Sequence, residues 1–137
     1  MAMARPHSRC PHVPQPLVLI VDDNPENLSV VGELLLPQHA VRVANSGRRA
    51  LQLARLAPRP DLVLLDVMMP RKTGLEVCQE VRAEARLQGV RILMLTAKGR
   101  DTDVAKGLAL GANAYVTKPF STRDLVARVR SLLEERP

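Results

Sequence analysis

The sequence predicts one α/β domain in three layers, a parallel sheet covered by helices on both faces. Three observations carry that expectation. Apolar runs too short for a helix recur along the chain and stop abruptly at a charged residue or a turn, as strands buried on both faces do. Segments of helical periodicity with recognisable caps separate them. The two kinds alternate five times, and right-handed crossovers then generate a parallel sheet flanked by helices.

The elements follow in order. Leu17 to Val21 is a strand that ends on Asp22-Asp23. Asn24 is an N-cap with Pro25 at the first helical position, and the helix runs to about Leu36 before Pro37, with Val30, Val31, Leu34 and Leu35 as its buried stripe. Ala40 to Val43 alternates like an edge strand. Ser46 caps a second helix whose Ala50, Leu51, Ala54 and Leu56 face inward, and Pro58 and Pro60 stop it. The central strand ends at Asp66, and Pro70 forces a turn just beyond. Leu75, Val77, Cys78 and Val81 mark a third helix, broken by Gly89. Arg91 to Leu95 is a strand closing on Thr96-Ala97-Lys98-Gly99. Asp101 to Leu110 contains Gly107, has only Val104 and Leu108 as large apolar residues, and is expected to be the least stable helix. Ala114 to Thr117 is the fifth strand, ending at Lys118-Pro119-Phe120. Ser121 to Asp124 reads as a capping box, and Leu125, Val126, Val129, Leu132 and Leu133 form one face of the last helix. The expected strand order is the flavodoxin-like 2-1-3-4-5, with strands one and three adjacent at the switch point.

The 137 residues suffice for one domain with a proper core, which is aliphatic: there is one Tyr, one Phe and no Trp. Residues 1–16 read as a disordered Pro-rich leader and 17–134 as the folded domain. His7, Cys10 and His12 lie in that leader, where composition argues against a built metal site. Cys10 and Cys78 form no CxxC, so neither a disulfide framework nor a zinc site is indicated, and a reducing cytoplasm fits. No apolar segment has the length of a signal peptide or membrane span. The formal charge of +6 raises nucleic acid as a partner, but arginines are dispersed among acids and form no tract, so direct nucleic-acid binding is not expected.

A lone Asp at a strand end is more often a turn residue than a reactive one. Here the predicted order brings Asp22, Asp23 and Asp66 together, and like charges so placed need a cation or must take up protons. Oxygen-only ligands with no His or Cys nearby suit Mg²⁺. Thr96 and Lys118 end two further strands. Three acids beside a hydroxyl and an ammonium can hold a divalent ion and a phosphoryl group together, with one carboxylate as nucleophile.

Four stretches, Leu19 to Pro25, Leu64 to Pro70, Leu95 to Ala97 and Gly111 to Phe120, together make the sequence resemble the receiver domain of two-component response regulators, from Leu17 through about Leu133. The resemblance implies that Asp66 is the phospho-acceptor for a sensor histidine kinase or phosphotransfer protein. It implies Mg²⁺ held by Asp23, Asp66 and the Met68 backbone carbonyl, with Asp22 holding metal-bound water, and Lys118 paired with the phosphoryl group across a cis bond to Pro119. It further implies a switch in which Thr96 moves to the phosphoryl oxygen and Tyr115 turns inward, re-forming the face of the fourth helix, fifth strand and fifth helix toward a downstream protein target or a second copy in a homodimer. Thr73 departs from the family, which carries an acid or amide there, and Lys98 occupies a variable position that influences phosphate lifetime. With four residues after Leu133, no DNA-binding or cyclase module fits behind the domain, so a stand-alone switch is expected; the alternative is the receiver part of a longer regulator. An aspartate-nucleophile phosphatase would need Asp-x-Asp after the first strand, where Asp22 and Asp23 are adjacent.

Overall fold

A computed structural model describes residues 15–134; His7, Cys10, His12 and the rest of the leader through residue 14 lie outside them. The chain runs β1 (Leu17–Val21), α1 (Pro25–Leu35), β2 (Ala40–Ala44), α2 (Gly47–Ala54), β3 (Leu62–Asp66), α3 (Gly74–Ala83), a 3-10 turn (Ala85–Leu87), β4 (Arg91–Ala97), α4 (Asp101–Leu110), β5 (Ala114–Lys118) and α5 (Thr122–Glu134). All strand pairs are parallel, in the order β2-β1-β3-β4-β5. This is the flavodoxin-like order expected, with the β1/β3 switch point at the centre.

Side chains alternate across the strands and divide the core in two. Leu19, Val21, Val63, Leu65, Ile92 and Met94 pack on one face under α2 and α3. Val18, Ile20, Leu62, Leu64, Leu93 and Leu95 pack on the other against α1 and α5. Every residue of β1 and β3 is buried, which makes these strands a rigid platform for what stands at their ends.

Several local expectations change. Val30 is 53% exposed, because the inward line of α1 passes through Leu28, Val31 and Leu35. Leu56 is 52% exposed, since α2 ends at Ala54 and the chain has left helical geometry before reaching it. Strand β4 continues to Ala97, so Thr96 lies inside the strand. Helix α3 ends at Ala83, well before Gly89, and the 3-10 turn takes up the difference. In α4 neither Val104 nor Leu108 is buried; Asp103 and Gly107 are. No described helix is long and apolar enough to cross a membrane.

Candidate functional site

The acids meet at the carboxyl edge of the sheet because β1 and β3 run in register up to Val21 and Leu65, so that the next residues are Asp22 and Asp66. Asp22, Asp23 and Asp66 each place a carboxylate oxygen within 4.8 Å of the others. Asp22 and Asp66 are 2% and 4% exposed, and Asp23 is exposed. This mixed burial gives two fixed acids and one open to solvent. Asp22 is held by the Asn24 N–H on Oδ1 at 2.9 Å and by Asn27 Nδ2 on Oδ2 at 3.1 Å. Asp66 Oδ1 accepts from the Met68 N–H at 3.2 Å.

Lys118, at the end of β5, reaches across the edge. Its Nζ lies 3.5 Å from Asp22 Oδ2 and 3.4 Å from Asp66 Oδ1. The Lys118-Pro119 bond is cis. Burial raises the Asp66 carboxyl to about 6, Asp22 adds to the rise, and Lys118 and the Met68 N–H oppose it. Thr96 is 1% exposed, and its Oγ1 finds no hydrogen-bond partner among the described residues. A buried hydroxyl without a partner is costly, so it marks where a ligand oxygen would be welcome. Tyr115 is 39% exposed and stands beside Met94 in the β4–β5 register, two pairs before Thr96 and Thr117.

The donor set fits a hard divalent cation: three carboxylates, no sulfur or imidazole, and partial exposure that leaves room for water. Four residues that support the site were not anticipated in that role from sequence. Asn27 orients Asp22 from the first turn of α1. Thr73 and Glu76 form a capping box, with the Thr73 N–H on Glu76 Oε1 at 2.8 Å and the Glu76 N–H on Thr73 Oγ1 at 3.3 Å. The Thr-x-x-Glu spacing was a legible signal for that box. Gly74 starts α3 directly against the Asp66 backbone, where a Cβ would overlap the Asp66 carbonyl oxygen and lie 2.8 Å from Val67 Cα.

Fold and site together define a doubly wound domain that gathers an acidic trio, a hydroxyl and an ammonium at its switch point. The family model of the response regulator receiver domain matches residues 18–130, and the chain belongs to that family, a signalling switch and not a conventional enzyme. The transcriptional regulatory protein CpxR of Klebsiella pneumoniae is 44% identical over 117 residues, which is 85% of this chain and 48% of that protein. Hybrid signal transduction histidine kinase D of Dictyostelium discoideum is 40% identical over 119 residues, 87% of this chain and 8% of that protein. The chain thus spans about half or less of these relatives. Among solved structures, the chemotaxis response regulator CheY4 of Vibrio cholerae superposes with a TM-score of 0.80 at 32% identity, covering 86% of this chain and 98% of that one.

Proposed function

We propose that Asp66 is the acceptor of a phosphoryl group delivered by a sensor histidine kinase or a phosphotransfer protein. The observation that carries this is the buried Asp66 carboxylate held at one sheet edge with Asp22, Asp23 and the Lys118 ammonium. A carboxylate oxygen of Asp66 attacks phosphorus, the P–N bond of the donor phosphohistidine breaks, and its electron pair stays on the imidazole, which takes a proton. Lys118 pairs with the phosphoryl oxygens, and the Thr96 hydroxyl donates to one of them, satisfying an atom that has no partner among the described residues. Asp23, Asp66 and the Met68 carbonyl would hold Mg²⁺, with Asp22 acting through water, and the ion would neutralise charge on the phosphoryl oxygens. Water later attacks phosphorus, the acyl phosphate P–O bond breaks, and inorganic phosphate and the Asp66 carboxylate return.

As Thr96 moves, Tyr115 turns inward and the α4, β5 and α5 face changes shape for a downstream protein or a second copy of the chain. A 650 Å³ groove on that face, between Tyr115, Phe120, Ala127 and Arg128, gives such a partner a place to bind. The site of action is the cytoplasm, consistent with the free thiol of Cys78. A second reading, a receiver working within a longer regulator with a DNA-binding or enzymatic output, is favoured by the 48% coverage of CpxR. The experiment is incubation with acetyl phosphate and Mg²⁺ followed by intact mass. Wild type gains one phosphoryl group and Asp66→Ala gains none; an adduct on Asp66→Ala removes the assignment.

A further inference from the structure

Helix α4 is fastened unevenly. At its carboxyl end Gly111, with φ 116°, closes the helix and turns its N–H onto Gly107 and Leu108 carbonyls. The Arg82 guanidinium donates to the Gly111 carbonyl at 2.9 Å and to Asn113 Oδ1 at 2.9 Å. Asn113 in turn bonds β4, accepting from the Ile92 N–H at 2.8 Å and donating to its carbonyl at 2.9 Å. That end is tied by charge-assisted and backbone bonds to both α3 and β4. The amino end has no side-chain cap and is held locally by the partly exposed Arg100–Asp103 ion pair at 2.7 Å.

Between the two ends, the buried residues of α4 are Asp103 and Gly107. Gly107 forms a notch filled from β4. A Cβ at Gly107 would overlap Sδ and Cε of Met94 and lie 3.5 Å from Leu75 Cδ2. Met94 is wholly buried and stands two residues before Thr96, so both point to the same face of the sheet. It is also the register partner of Tyr115 on β5. One side chain therefore adjoins both residues of the switch pair and ends in contact with α4. Methionine suits such a place, because its unbranched thioether changes shape with little strain.

We propose that Met94 is a positioning residue for the switch: its thioether, seated in the Gly107 notch, sets the register of the middle of α4. When the tip is displaced, α4 pivots about the end clamped by Arg82. The coupling to phosphorylation rests on the reading of Thr96 and Tyr115 given above, whereas the notch and pivot are properties of the unphosphorylated chain.

The test is amide exchange of the metal-free, unphosphorylated chain, with acetyl phosphate labelling measured separately. Met94→Ala should raise exchange over residues 104–107 about tenfold relative to residues 111–113, a local opening distinct from global loss of stability. It should also change quenching of Tyr115, the one Tyr in a chain without Trp. Leu51→Ala, a cavity in the same core layer under α2, should raise exchange evenly. Adding Gly107→Ala to Met94→Ala places a methyl where the thioether stood and should restore protection. Met94→Ala with the even profile of Leu51→Ala, or an absence of rescue in the double variant, overturns the proposal. Failure of the wild type to label would instead remove the phospho-acceptor reading and leave the exchange result to decide the pivot.

Discussion

At the scale of single residues, Asp66 is held between burial and its neighbours. Its carboxyl titrates at about 6 in the fold against an ordinary 3.8, so ionising it costs the folded state. The cost is absent below about pH 4, grows as pH rises toward 6, and is constant above, which by linkage amounts to about 3 kcal/mol. Asp66→Asn should therefore be more stable than wild type by about 2 to 3 kcal/mol at pH 7.5 in chelator, with the gain vanishing near pH 4; urea denaturation at the two pH values measures it. Lys118→Ala should keep the fold and slow acetyl phosphate labelling by about 10²-fold, the loss expected when one preorganised positive group leaves a site of developing charge. Intact mass against time reads that rate.

At the scale of elements, the β3–α3 connection couples stability to the site. Arg71 adopts a left-handed φ of 66°, Lys72 is paired with Glu80, and Thr73 caps α3. The Thr73 that departs from the family pattern thus has a structural task. Thr73→Ala should cost about 1 kcal/mol, typical for loss of an N-cap, and thermal denaturation would show it. Gly74→Ala is more severe, because its methyl would meet the backbone of Asp66 and Val67, which cannot yield as a flexible side chain can. It should destabilise by about 3 kcal/mol or more and reduce labelling, since α3 would be pushed off the strand end that carries the acceptor. Helix α4, whose composition predicts the least stable helix, buries Asp103 and Gly107 and no large apolar residue.

At the scale of the whole molecule, an acidic edge that takes up Mg²⁺ as proposed should make stability depend on that cation. A ligand that binds only the folded chain stabilises it by mass action, so Mg²⁺ at ten times its dissociation constant should add about 1.4 kcal/mol. Scanning calorimetry should show that gain in wild type and lose most of it in Asp23→Ala. The effect should be larger at pH 7.5 than at pH 5, where a share of Asp66 is protonated and competes with the metal.

The sequence by itself determined the five strands and the four crossovers that join them, because buried parallel strands must be continuously apolar and their connections are right-handed, and the flavodoxin-like pattern gave their order. It also brought Asp22, Asp23, Asp66, Thr96 and Lys118 to one edge, since each stands at or near a strand end. Tertiary structure decided what periodicity leaves open. The helix phase that exposes Val30 depends on which neighbour α1 meets, and the early end of α2 that exposes Leu56 depends on the turn into β3. The support of Asp22 by Asn27 depends on how the first turn of α1 leans over the edge. The seating of Met94 against Gly107 joins residues 13 apart in the chain, on different elements. Such contacts belong to the docking of one element on another, and no local pattern of residue types records them.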